Sequence, residues 1–224
     1  MKAEIRNKAD YASLHVLLDE GEQVITETGA MMGMDPALKM ETNMKGGLLG
    51  AAKRAIGGES VFLNTYTATG PGQQIDIAPS IPGDMIAIEL ASGSVKVQRG
   101  SYVAHHGDIE VTARWGGART FFAGEGLVML EASGTGTLWI ASYGAIHPVE
   151  VQGAYTVDTT HIVAFDDSLT FNVTKVGGLK SLFLSQEGLV CKFTGTGRLW
   201  LQTRNAPALA AFLHPFRRVQ KSNN

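Results

Sequence analysis

Two stretches, Glu125-Gly-Leu-Val-Met-Leu-Glu-Ala-Ser-Gly-Thr-Gly-Thr-Leu-Trp139 and Glu187-Gly-Leu-Val-Cys-Lys-Phe-Thr-Gly-Thr-Gly-Arg-Leu-Trp200, are versions of one pattern. Gly134/Gly195, Gly136/Gly197 and Trp139/Trp200 keep a constant offset of 61 residues. A more diverged version runs from Glu59 to Ile75, with Gly70 and Gly72 at the glycine positions and Ile75 in place of the tryptophan. Self-similarity at a fixed period marks a repeated structural unit, and it constrains the fold before any local propensity does.

The flanks repeat too. Gly46-Gly47, Gly116-Gly117 and Gly177-Gly178 close the strand-like stretches 38–44, 109–115 and 169–176. Further upstream, Gly21 to Met32, Gly93 to Val103 and Gly153 to Val163 read as one shared hairpin. Three tandem units, 14–79, 84–142 and 147–203, account for most of the chain. Such units cannot bury an apolar face alone, so the expectation is one domain over 1–224 with approximate internal threefold symmetry.

Alternation of apolar and polar residues marks strands at Met85–Leu90, Val95–Val97, Ile109–Ala113, Val149–Val151 and Leu169–Val173. Turn signals lie between them: Pro82-Gly83-Asp84, Ser92-Gly93, His106-Gly107-Asp108, Gly124-Glu125-Gly126 and Asp166-Asp167-Ser168. Short strands at that spacing predict an all-β sandwich or barrel. The Gly-x-Gly pairs read as tight hairpin turns, with Trp139 and Trp200 in the core and Cys191 packed where Met129 sits in the aligned unit.

Two segments break the pattern. Gly46 to Gly58 has no counterpart and could form a short helical insertion, with Leu48, Leu49, Ala52 and Ile56 on one side. At the C-terminus Leu209, Phe212, Leu213 and Phe216 have helical spacing, which predicts a helix over 206–216. Pro207 suits its first turn, Pro215 suits its end, and Arg217, Arg218 and Lys221 make a basic tail.

The Gly46-Gly-Leu-Leu-Gly-Ala-Ala-Lys-Arg54 insertion leading into Gly58-Glu-Ser-Val-Phe-Leu-Asn-Thr-Tyr66 carries a family resemblance. So do the Ala78-Pro-Ser-Ile-Pro-Gly-Asp84 junction and the closing Gly195-x-Gly-x-Leu-Trp-Leu-Gln-Thr-Arg204. Together they resemble the family named for altered inheritance of mitochondria protein twenty-four, which is widespread in bacteria and archaea. The resemblance covers nearly the whole chain. It implies a β-fold similar to that of the tryptophan RNA-binding attenuation protein (TRAP-like, a barrel of the double-stranded β-helix type), duplicated within one chain. It brings no catalytic residues. Mitochondrial members are linked to inner-membrane organisation, a role not expected of a chain that opens without a transit peptide.

Composition narrows the function classes. Of 224 residues 27 are Gly, 44% are hydrophobic and 18% charged, so the chain can bury a core. No apolar run is long enough to span a bilayer, and Met1 to Glu20 reads as neither secretory signal nor transit peptide. One cysteine, Cys191, suits a reducing compartment, so a cytoplasmic location is expected. A net charge of -2 supplies no bulk field for nucleic acid, although Lys96, Arg99, Arg114 and Arg119 gather in the second unit.

The chemistry-bearing motifs are few. His105-His106-Gly107-Asp108-Ile109-Glu110 is the one cluster with metal-ligand types, but adjacent strand residues face opposite ways, and turn chemistry is the better reading. Lys53 follows Ala51-Ala52 rather than a phosphate-loop Gly-Lys-Ser/Thr arrangement. Gly-x-Gly flanked by strands is no dinucleotide fingerprint, and no serine lies in Gly-x-Ser-x-Gly. The expectation is therefore a non-enzymatic scaffold or interaction module that forms homo-oligomers and uses no cofactor or metal. Binding of a small molecule or lipid is the alternative, followed by RNA binding on fold analogy. Leu48, Leu49, Lys53, Arg54 and Ile56 are the candidate surface for a protein partner or a membrane, with the C-terminal helix second.

Overall fold

The computed structural model describes residues 1–43, 63–112, 128–175 and 189–217. Their regular structure is almost entirely β, as expected. The strands are β1 (Lys2–Arg6), β2 (Ser13–Leu18), β3 (Gln23–Glu27), β4 (Met31–Met34), β5 (Lys39–Asn43), β6 (Leu63–Thr67), β7 (Gln73–Ile77), β8 (Met85–Gln98), β9 (Tyr102–Thr112), β10 (Met129–Ala141), β11 (Ile146–Asp158), β12 (Ile162–Asp166), β13 (Thr170–Lys175) and β14 (Leu189–Gln202). One α-helix follows, α1 (Ala206–Leu213), running into a 3-10 turn over His214–Phe216.

The strands form two antiparallel sheets. A small one has the order β1-β2-β7-β4, and a large one runs β11-β14-β12-β8-β10-β9-β3-β6-β5, with β13 also pairing with β14. Among the described residues neither sheet closes on itself, so the expected closed barrel gives way to open sheets.

The Gly-x-Gly motifs are not the tight turns that their composition suggested. Gly134 and Gly136 lie inside the continuous strand β10, and Gly195 and Gly197 inside β14. Gly134 and Gly136 have φ of 130° and 150°, so their missing side chains would point into the neighbouring strand β9. Only Gly70-Pro71-Gly72 turns, and there the chain leaves β6 in one sheet and enters β7 in the other. Ser92-Gly93 and His106-Gly107-Asp108, whose composition also predicts turns, instead lie within β8 and β9.

The shared hairpin is corrected in the same way. A 3-10 turn, Arg99–Ser101, links β8 to β9, yet β10 lies between these strands. Thr159–His161 links β11 to β12, and β14 lies between them. Likewise β3 and β4 fall in different sheets.

Burial follows the strand alternation. Leu14, Val16 and Leu18 of β2 and Ile75 and Ile77 of β7 are fully buried, while Gln74, just before Ile75, is exposed and Asp76, between the two isoleucines, is half-buried. Three apolar clusters result, and the first two share residues across strand groups. Trp139 and Ala104 join the cluster built by β2, β3, β6 and β7, and Trp200 with Val163 joins the one built by β8, β9 and β10. Both tryptophans are thus core residues, as is Cys191, which packs with Phe165 and Phe193 in the third cluster.

Candidate functional site

Leu48, Leu49, Lys53, Arg54 and Ile56 lie outside the described residues, as do the three double glycines, Arg114 and Arg119. The second candidate, α1, is described in full. Asn205 caps it, its Oδ1 accepting from the Ala208 N–H at 2.8 Å. The same side chain ties the helix to the sheet: Nδ2 donates to His161 Nε2 at 2.9 Å, and His161 Nδ1 donates to the Gln202 carbonyl at 2.6 Å. Beyond that anchor the helix buries nothing. Leu209, Phe212, Leu213 and Phe216 are 42%, 66%, 51% and 74% exposed. Phe212 and Phe216 touch each other, with ring centroids 5.8 Å apart.

His105 and His106 sit on β9 and point to opposite sides of the sheet. His105 is buried, with Nδ1 2.7 Å from the Tyr102 hydroxyl, which also lies 3.3 Å from the Ile25 carbonyl oxygen. His106 Nδ1 donates to the Gln23 carbonyl at 2.7 Å. Two nitrogens so committed do not converge on one ion, and among the described residues no three His, Cys, Asp or Glu side chains could hold a metal. The role of this pair is to join β9 to β3. Burial pushes the Glu27 carboxyl upward, against the pull of Arg99. Burial, aided by Glu27, raises the Tyr102 hydroxyl well above its usual range. Burial is the larger cause of both shifts, as expected of groups packed at the seam between β9 and β3.

A second junction joins β12 to β8, where Ala164, Phe165 and Asp166 pair with Val97, Lys96 and Val95. Lys96 Nζ lies 2.6 Å from Asp167 Oδ1 and 2.8 Å from Glu131 Oε2. Lys96, one of the basic residues gathered in the second unit, is thus held by two carboxylates instead of being offered to a phosphate.

The sequence of the matched region now identifies the family. The family model for mitochondrial biogenesis AIM24 matches residues 3–204. The chain belongs to the AIM24 family. An uncharacterised protein from Streptococcus pyogenes serotype M6 is 27% identical over 223 residues, covering 95% of this chain and 90% of its own. A crystal structure of a Streptococcus pyogenes protein from a structural genomics programme superposes with a TM-score of 0.82 at 24% identity, covering 96% of this chain and 99% of that one. That likeness establishes a shared fold.

In this AIM24 chain one more surface stands out, and the sequence reading missed it. Met31, Met32, Met34 and Met40 on β4 and β5 are 39%, 63%, 36% and 47% exposed. A run of Met-Met-Gly-Met looks like any apolar strand; only the sheet order shows that β4 ends its sheet. Among the described residues no helix is long and apolar enough to cross a membrane.

Proposed function

We propose that this AIM24 chain is a non-enzymatic β-scaffold that works by assembling with further copies of itself. The observation that supports this reading most is the capped helix α1 with the 3-10 turn that follows it, whose four large apolar side chains, Leu209, Phe212, Leu213 and Phe216, are all exposed. A contiguous apolar patch of that kind marks an interaction site more often than a free surface. The reading treats β2–β7, β8–β10 and β11–β14 as three variants of one TRAP-like unit, each contributing edges and apolar faces to an assembly. The glycine-bracketed insertion with Leu48, Leu49, Lys53, Arg54 and Ile56 is the second contact element in this reading.

Native mass spectrometry and light scattering on the full chain test it. The expected result is a defined multimer that the double substitution Phe212→Ser/Phe216→Ser dissociates while circular dichroism stays unchanged. Both residues are mostly exposed, so the variant keeps its core. A chain that stays monomeric up to high micromolar concentration would overturn the proposal. Leu48→Ser/Leu49→Ser tests the insertion separately: weaker association with the fold intact supports a contact role, and unfolding assigns those residues to the core.

A further inference from the structure

The two internal junctions follow one rule. At the first, β9, which follows a 3-10 turn, docks on β3, with His105 opposite Ile25 and Ala104 opposite Thr26. At the second, β12, which also follows a 3-10 turn, docks on β8, with Phe165 opposite Lys96 and Ala164 opposite Val97. In both, the incoming strand is fully covered: Tyr102, Val103, Ala104 and His105, like Ile162, Val163, Ala164 and Phe165, are at most 2% exposed. The receiving strands bury Val24 and Val95 to 0% and 3% exposure.

In the three-unit reading the strand corresponding to β9 and β12 is β4, and the strand corresponding to β3 and β8 is the second half of β11. Neither has such a partner among the described residues, where β4 pairs only with β7 and β11 only with β14. Exposure follows. Met31, Met32 and Met34 stand in solvent where their counterparts are buried, and Tyr155, at the place of Val24 and Val95, is 41% exposed. The third apolar cluster shows the complementary vacancy. Its buried members all come from residues 151–199, while the first two clusters each take in buried residues from the next group.

We infer that β4 of one copy pairs antiparallel with β11 of a second copy, head to tail, by the rule of the internal junctions. Transferring the register places Gly33 opposite Val157 and Met34 opposite Thr156. Met32 then lies over the third cluster of the neighbour, as Val103 and Val163 lie over the first two. The two edges differ, so the contact is heterologous and generates a ring or an open series instead of a twofold dimer. The inference deepens the self-association proposed above and rests on it.

Cysteine pairing tests it on the full chain. Met34→Cys/Thr156→Cys, oxidised mildly, is expected to give a ladder in steps of the 23.9 kDa chain on non-reducing gels. Each single variant alone is expected to stay at one chain mass, and an equimolar mixture of the two to give a two-chain band. Cys191 is buried and serves as the internal control. A two-chain band from Met34→Cys alone would replace this pairing with a symmetric β4 edge. A multimer by native mass spectrometry that gives no mixed cross-link would overturn the β4–β11 contact and leave the scaffold reading intact. A monomer in every measurement would overturn both.

Discussion

A Cβ placed on Gly134 would run into the carbonyl oxygen of Asp108 on the adjacent strand. The same construction on Gly136 meets the carbonyl oxygen of His106. These glycines let β10 pass close to β9, and their side chains are absent because the partner backbone occupies that space. Gly93, opposite Gly134 on β8, has no atom within 4 Å of its would-be Cβ. We therefore expect Gly134→Ala and Gly136→Ala each to destabilise by about 1–3 kcal/mol, with Gly93→Ala within about 0.5 kcal/mol of the parent. Urea denaturation measures all three, and equal midpoints for Gly134→Ala and Gly93→Ala would refute the close approach.

Lys96 holds β8 to the turn after β12, and its charge state limits the pH range of that clamp. Burial alone lowers the ammonium pKa, but hydrogen bonds to Asp167 and Glu131 outweigh it and raise the group above its usual range. The Lys96 hydrogen bond holds Asp167 below the usual carboxylate range. The Asp167 contribution is thus present above the ordinary aspartate pKa and lost as pH falls through its lowered value. The Lys96 contribution is present below the ordinary lysine pKa and lost as pH rises through its raised value. Asp167 is more than half exposed, so Asp167→Asn is expected to cost only about 0–1 kcal/mol at neutral pH. Lys96→Met, which takes one hydrogen-bonding partner from the more buried Glu131, is expected to cost about 1–3 kcal/mol. Denaturation midpoints at pH 3 and pH 7 should converge for Asp167→Asn relative to the parent.

How far the sequence carries the fold depends on whether a signal is local. Alternation located β8, β9, β11 and β13, and the spacing of Leu209, Phe212, Leu213 and Phe216 located α1. Glycine misled at Gly134, Gly136 and Gly107. Locally, a glycine needed for a turn and one needed for close strand approach look alike, and only the partner strand distinguishes them. His105 and His106 misled for the same reason: a His-His-Gly-Asp sequence suits a turn, yet continuous pairing with β10 runs through it. The exposed Met31, Met32 and Met34 were illegible because edge position is a property of sheet order. Helical spacing signals an apolar face on α1 without saying that nothing covers it.

The cap at Asn205 has a local and a tethering role. Replacing it removes the acceptor for the Ala208 N–H and the donor to His161 Nε2. Because α1 buries no residue, Asn205→Ala should leave the global denaturation midpoint nearly unchanged. The loss should appear in the helix itself, where a cap is worth about 1 kcal/mol. Hydrogen exchange across 208–213 is expected to accelerate about fivefold, a factor that corresponds to about 1 kcal/mol. Exchange no faster than in the parent would show that the cap does not hold the helix.

Cys191 reports on the third cluster. Its thiol is fully buried beside Phe193, and burial pushes its pKa up to about 12. The reactive thiolate is therefore scarce at pH 8, and the sulfur is also out of reach of reagents. Labelling by an aromatic disulfide reagent should proceed only through opening of the cluster, so its rate should rise steeply with urea. Linkage adds a second signature. Above the ordinary thiol pKa the unfolded chain releases a proton that the folded chain retains, so stability should fall as pH rises from about 9 toward 12. Cys191→Ser would remove most of that slope, because the serine hydroxyl does not ionise in this range. A native chain labelled within seconds at pH 8 without denaturant would place Cys191 in contact with solvent and contradict the packing of β14 on β12 and β13.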